Sequence, residues 1–406
     1  MNPRSSTSSS EQPFDVGAAP WALVAALLVV LACEGAVRVA PSRWVIPYVN
    51  AGDSTYPAVR HFIEKDGPAE VAVVGSSRAR ESIAAPDLRA ACEAALGRTV
   101  TVGNYASPAA GADEVDSIVR VLLSQRRKPK LILYGISPLQ LSTKAAAARH
   151  AGRLWTLDDW EREAATLPAN AARRLRAMAM HNEAGRWCRL YAYRDIAWIR
   201  LRALLGWESI HSNPIAGDLT FQQVDEPDRR LADHPVRDAF VQRYLRPRMQ
   251  GNRHPLGGEA SRRFESILSQ CRDAGVTIIV YEVPLSETLR RNYPRGTLEQ
   301  MRRIAQRLTN KYRAPYLHIE DLGETFDETV FRDLSHLNVH GARRLTAILA
   351  QKAVIPALKG ELKWVSRPVP PRPEGLGTPR GGEDDEGDDQ PPGEITVPDT
   401  SPIDDQ

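Results

Sequence analysis

Five continuous apolar runs, rich in β-branched residues, constrain this chain more than any other feature. They are Glu70–Gly75 (EVAVVG), Thr99–Asn104 (TVTVGN), Lys130–Ser137 (KLILYGIS), Val276–Val283 (VTIIVYEV) and Ala314–Glu320 (APYLHIE). A strand with one face in water alternates apolar and polar residues. These runs do not, as expected of parallel strands covered on both faces. The segments between them have helical spacing. Asp87–Leu96 ends at Gly97, which suits a left-handed C-cap. Val115, Ile118, Val119, Leu122 and Leu123 make one apolar helix face, and Leu298, Met301, Ile304 and Leu308 make another. Thr297 and Gln300 have capping-box spacing at the start of the latter. Strand–helix alternation of this kind predicts an α/β fold, a doubly wound parallel sheet between layers of helices.

The third and fourth runs are separated by residues 141–255, too long a stretch for a loop, which predicts a helical insertion. Within it, Arg194–Trp207 (RDIAWIRLRALLGW) is apolar on one side and bears arginines on the other. Such a helix suits a membrane surface. The preferred reading from sequence is a helical cap packed on the α/β core.

Ahead of the domain, Val16–Cys33 carries no charge. About eighteen apolar residues is near the minimum for a helix that spans a bilayer. Glu34 and Arg38 follow at i,i+4 spacing and can pair at the interface, and Trp21 and Trp44 flank the run as aromatic anchors do. A cleaved signal peptide fits less well, because the leading segment is long and has only Arg4 as a positive charge. A buried core helix is the remaining alternative. The expected organisation is a short N-terminal segment (1–15), a transmembrane anchor (16–40), the main domain (41–365) and a tail (366–406). The tail is rich in Pro, Gly and acid, and is expected to be disordered. Arg4 before the anchor, against Arg38 and Arg43 after it, mildly favours the cytoplasmic side for the domain by the positive-inside rule.

The chain has 53 basic and 50 acidic residues, but many of the acids sit in the tail, so the body is basic. A basic body can face anionic polymers, lipid headgroups or nucleic acid. No nucleic-acid module is present and the basic residues are scattered along helices, so nucleic-acid binding is not expected. The four cysteines, Cys33, Cys92, Cys188 and Cys271, have neither metal-ligand nor redox spacing.

In open α/β sheets, ligands bind beyond the carboxyl ends of the strands. Gly75-Ser76-Ser77-Arg78 occupies that end of the first strand, just before a helix. A serine there is exposed beside helix-end amides that can stabilise an anion. It needs a positioned base to become a nucleophile. Phe331–Leu345 (FRDLSHLNVHGARRL) supplies Asp333 and His336, three apart, before a last helix that Asn338 can cap. One carboxylate can then hold the imidazole while its other nitrogen faces the serine. His340, four residues after His336, lacks a third ligand for a metal pair, and no metal is expected. Glu282 ends the fourth run near the same edge, with no role that spacing assigns.

These blocks resemble the SGNH (GDSL-type) hydrolase superfamily, in which Gly-Asp-Ser follows the first strand and Asp-x-x-His precedes the last helix. The resemblance covers roughly residues 71–358 without the insertion. It makes Ser77, rather than Ser76, the nucleophile of a Ser77–His336–Asp333 triad, and implies a flavodoxin-like three-layer sandwich. The family's oxyanion hole maps onto the Ser77 amide, Ala106 in place of a glycine, and Ser137 in place of an asparagine, with Asn104 as a substitute donor. By its own chemistry, Arg78 is a candidate to bind an anionic substrate, with pairing to a nearby carboxylate as the alternative. "GSSR" with "DLSHLN" is most similar to membrane-anchored SGNH-like proteins of envelope polysaccharide acylation, which act outside the membrane, often alongside a membrane-bound O-acyltransferase. The resemblance therefore implies a cofactor-free serine esterase or O-acyltransferase on the extracytoplasmic side. The alternative is an inactive member that binds polymer or scaffolds the acyltransferase.

Overall fold

The computed structural model describes residues 19–40, 63–64, 67–107, 110–142, 155–166, 169–207, 228–234, 241–245, 256–363 and 365–371. In chain order the elements are α1 (Ala19–Val39), β1 (Val71–Gly75), α2 (Ser77–Ser82), α3 (Ala85–Leu96), β2 (Val102–Asn104), α4 (Ala112–Leu123), β3 (Leu131–Ile136), α5 (Leu157–Glu163), α6 (Ala169–Trp187), α7 (Arg189–Leu204), α8 (Gly258–Asp273), β4 (Thr277–Glu282), α9 (Glu287–Asn292), α10 (Thr297–Tyr312), β5 (Tyr316–Leu317), α11 (Val339–Leu349) and α12 (Ile355–Leu358).

The strands form one sheet in the order β2-β1-β3-β4-β5, every pair parallel. Register explains why the runs are apolar throughout. Val73, Leu133 and Ile279 align across the three central strands and face one layer, with α3 and α11 packed over them. Val74, Tyr134 and Val280 align on the other face, under α4, α8 and α10. Alternate side chains of a strand enter opposite faces, so two buried faces leave no place for polar residues. The result is an α/β sandwich with helices on both sides of the sheet.

The two edge strands are shorter than their apolar runs suggest. β5 keeps only two residues, since Pro315 has no N–H to donate and the chain turns at Ile319–Leu322. Gly97 ends α3 in the left-handed conformation, as its position suggests. The capping box expected at Thr297 and Gln300 does not form. Gly296 is the N-cap, with φ +81°, and Thr297 is already helical.

The chain leaves the α/β core at Leu141–Ser142 and returns at Leu256–Gly257. The two ends are joined by a Ser142–Leu256 antiparallel bridge and a Gly257 N–H bond to the Leu141 carbonyl (3.0 Å). Near its start the insertion docks on the core. Trp155 donates to Ser117 Oγ (2.6 Å), and Glu163 on α5 pairs with Arg263 on α8. The arginine-bearing helix does not follow. α7 packs on α6 and on the end of α1, and Trp198, Leu201 and Leu204 are exposed. The expected cap on the α/β core is therefore corrected for α7: its apolar side is not buried there.

α1 is the one helix among the described residues long and apolar enough to cross a membrane, over Pro20–Val39 with mean hydropathy 2.2, and it is not buried in the protein. At the other end, Arg367 is held by Asp321 Oδ2 (2.5 Å) and by Asn310, whose amide donates to the Arg367 carbonyl (2.7 Å). The start of the expected disordered tail is thus anchored on α10 and the turn after β5. Residues 372–406 lie outside the described residues.

Candidate active site

The site begins with two glycines. Gly75 ends β1 at φ +141° and pairs in register with Gly135 of β3. A Cβ on Gly75 would stand 2.5 Å from Ala79 Cβ and 2.7 Å from the Gly135 carbonyl oxygen. The absence of side chains lets α2 start immediately against the sheet. Ser76 is the buried N-cap residue and Ser77 the first helical residue. The Ser77 N–H consequently has no intrahelical acceptor and points out of the helix start.

The last block comes to the same edge. Phe331 and Leu337 form an antiparallel bridge, and the Arg332 N–H donates to the His336 carbonyl (3.0 Å), closing a tight loop. Asn338 caps α11 by accepting from the Gly341 N–H (2.9 Å), and its amide donates to the carbonyls of Thr329 and Arg229. Ser286 donates to the Leu334 carbonyl (2.7 Å) and steadies the loop from below.

Ser77, His336 and Asp333 meet. His336 Nε2 is 2.9 Å from Ser77 Oγ, and His336 Nδ1 is 2.8 Å and 3.0 Å from the two Asp333 oxygens. With Nδ1–H donated to the carboxylate, the Nε2 lone pair faces the serine hydroxyl. Asp333 Oδ1 also accepts the N–H groups of Ser335 (2.8 Å) and His336 (2.9 Å). Burial pushes the pKa of the Asp333 carboxyl up, but the hydrogen bond and charge of His336, the Ser335 N–H and Arg332 outweigh it. They hold the group well below the usual carboxylate range. Asp333 is therefore an anion that fixes the imidazole rather than a proton acceptor.

The residues assigned to the oxyanion hole fare differently. Asn104 is buried, its amide donating to the Arg80 carbonyl (2.8 Å) and its oxygen accepting the Ala106 N–H (3.3 Å). It orders the β2 exit and is not directed at the serine as a donor. Ser137 Oγ donates to Gln140 Oε1 (2.7 Å) and accepts from Arg78 Nη1 (3.1 Å), so its proton is committed. Arg78 Nη1 is also shared with Tyr293 OH (3.2 Å), which holds the guanidinium in place. The Ser77 amide stays outside the helix's own bonding, and the Ala106 amide makes a long bond to Asn104 Oδ1.

Sequence reading missed the groups that hold this arrangement. Glu81, one turn after Ser77, is 2% exposed and binds Arg80 Nη2 (2.7 Å) and Arg332 Nη2 (2.7 Å). Arg332 precedes Asp333 in the chain, so the serine helix and the acid–base loop share one buried ion pair. The four-residue offset from Ser77 was visible, but nothing local distinguishes Glu81 from a solvated helix acid.

The other chemical groups are occupied. Glu282 is buried with Arg302 (2.9 Å), Tyr316 (2.7 Å) and His318 (3.4 Å) around it. Burial alone would raise it, yet these partners lower it to about 2. His340 is an exposed residue of α11, 3.7 Å from Asp228. Burial pushes the Cys92 thiol up to about 11 and Cys271 to about 12, which suppresses thiolate chemistry. No family model matches the chain, and no curated protein matches it in sequence.

Proposed function

We propose that the protein is a membrane-anchored serine esterase or O-acyltransferase of SGNH type, acting on ester-linked acyl groups of envelope polysaccharide. The observation that carries this reading is the 2.9 Å approach of His336 Nε2 to Ser77 Oγ with Asp333 behind the imidazole. Three residues from opposite ends of the domain meet in the order nucleophile, base, carboxylate, at the carboxyl edge of a parallel sheet.

The chemistry follows from the geometry. Ser77 Oγ attacks the acyl carbonyl as its proton passes to His336 Nε2. The tetrahedral oxyanion accepts from the Ser77 N–H at the start of α2. His336 then gives its proton to the departing alkoxide, leaving an acyl-serine. An incoming hydroxyl loses its proton to His336 and attacks the acyl carbon, and Ser77 is restored. Water as acceptor gives hydrolysis, and a sugar hydroxyl gives transfer. The Arg78 guanidinium, held by Ser137 and Tyr293, suits an anionic group on the substrate. α1 serves as the anchor, with the domain on the extracytoplasmic side and a membrane-bound O-acyltransferase as a partner.

A second reading has one observation in its favour. Asn104 and Ser137 spend their side-chain donors inside the protein, and losing one oxyanion donor costs about 10²–10³ in rate. On that reading the protein is an inactive scaffold that binds polymer or the acyltransferase. Fluorophosphonate labelling of the detergent-solubilised full-length protein separates the two. Labelling abolished by Ser77→Ala and His336→Ala, but retained by Ser76→Ala, is the expected result. A folded wild-type protein that takes no label supports the scaffold.

A further inference from the structure

α1 does not end in isolation. Glu34, one residue past the uncharged run, accepts the backbone N–H groups of Arg189 and Leu190, both at 2.8 Å. It thereby caps the first turn of α7 from another helix. Arg38 bonds to Glu34 (2.7 Å) and donates to the carbonyl of Trp187, the last residue of α6 (2.5 Å). The corner between α6 and α7 is thus clamped onto the end of α1, at the level where its apolar stretch gives way to charge. Unsatisfied helix-end groups are what such a clamp relieves, and the two charged residues of α1 relieve these.

Beyond this corner, the second half of α7 exposes a row of large apolar side chains. Trp198, Leu201 and Leu204 recur at helical spacing along α7, followed by Leu205 and Trp207, with Trp187 at the corner. Leu204 is 85% exposed and Trp187 77% exposed. Residues 169–204 also hold eight arginines against two carboxylates. Exposed tryptophan beside arginine is the pattern of a helix lying in a bilayer interface, with aromatic rings at the headgroups and guanidinium groups on lipid phosphates. We infer that α7 is a second membrane contact, lying with its Trp198–Leu201–Leu204 stripe in the headgroup region of the bilayer that α1 spans, on anionic phospholipid. The occupant is fixed by continuity: the clamp from Glu34 and Arg38 sets the start of α7 at the bilayer boundary. The inference rests on the anchor reading of α1, not on the catalytic one.

Depth measurement by nitroxide collision tests it. The full-length protein carries Cys33→Ser and Cys188→Ser, and one label each through Leu27→Cys in α1, Leu201→Cys or Leu204→Cys in α7, and Glu361→Cys on the domain. It is reconstituted in vesicles of phosphatidylcholine and phosphatidylglycerol. The expected result is that positions 201 and 204 fall between positions 27 and 361, with collision by oxygen favoured over a water-soluble nickel chelate several-fold more than at position 361. If 201 and 204 resemble 361 while 27 lies in lipid, the inference is overturned and the anchor stands. Label–label broadening at 201 and 204 would mean that a second copy covers the stripe, which also overturns it. If position 27 is itself aqueous, the anchor and the inference fall together, whereas the labelling of Ser77 is unaffected.

Discussion

Glu81 and Arg332 are 251 residues apart in sequence, yet Glu81 Oε2 lies 3.0 Å from Arg332 Nε. The pair ties the helix that begins at Ser77 to the loop that presents Asp333 and His336. Glu81→Gln removes the carboxylate that binds two mostly buried guanidinium groups, those of Arg80 and Arg332, and breaking such a pair costs about 3 kcal/mol or more. The expected outcome is a lower melting temperature together with slower fluorophosphonate labelling. Glu81→Gln combined with Arg332→Met recovers part of the melting temperature, since Arg80 still lacks its carboxylate, and little of the labelling rate. Recovery of both would show that the pair supports the fold alone.

Asp333→Asn keeps the size of the side chain but offers an amide where Nδ1–H needs an acceptor. The imidazole then loses its enforced tautomer, and in the chymotrypsin precedent this change costs about 10⁴ in turnover. Labelling of Ser77 is expected to fall by at least about two orders of magnitude, with little change in thermal stability. Labelling within a few-fold of wild type would remove Asp333 from the mechanism.

Among the described residues, Arg78 is held by Ser137 and Tyr293 rather than by a carboxylate. Its charge is therefore open to a substrate anion. Arg78→Ala is expected to raise KM for anionic ester substrates about tenfold or more, and to leave neutral esters nearly unchanged. Tyr293→Phe has a smaller effect of the same kind. An equal loss for charged and neutral esters would assign Arg78 to the reacting centre instead.

Glu282 gives a pH prediction with a definite sign. Its folded value is lowered to about 2 from an ordinary 4.5 by the surrounding Arg302, His318 and Tyr316, against the effect of burial. A depressed carboxyl stabilises the fold above its unfolded value and loses that contribution as pH falls through the folded one. Glu282→Gln is expected to melt below wild type at neutral pH. The gap should narrow between about pH 4.5 and 2, as wild-type Glu282 protonates. A gap that is constant with pH would mean that the cluster contributes through packing only.

Gly75 tests the close approach beneath the nucleophile. Gly75→Ala places a Cβ against Ala79 and the Gly135 carbonyl at a backbone conformation that side chains rarely adopt. A loss of about 2–4 kcal/mol is expected, read as a fall in melting temperature, with loss of labelling. Wild-type stability in this variant would show that α2 can shift without cost.

The fold class was written in the chain itself. A strand buried on both faces must be apolar at every position, so Val71–Gly75, Leu131–Ile136 and Thr277–Glu282 declared a covered parallel sheet locally. Ser77, Asp333 and His336 were legible for a related reason: each sits at the end of an element, where turn and cap residues leave a short signature. A helix long and apolar enough to cross a membrane was legible from length and hydropathy alone. Tertiary structure decided what pairing requires. That Asn104 and Ser137 give their donors to Arg80 and Gln140 depends on which side chains arrive beside them. The same holds for Glu81 meeting Arg332, and for Glu34 capping α7. Hydrogen bonds and ion pairs are short-ranged and indifferent to sequence separation, so the residue type fixes what a group can do and only the fold fixes whom it does it with. The stripe on α7 marks the boundary between the two: its tryptophan and leucines were plain in sequence, but apolar residues packed on the core and ones left open have the same spacing.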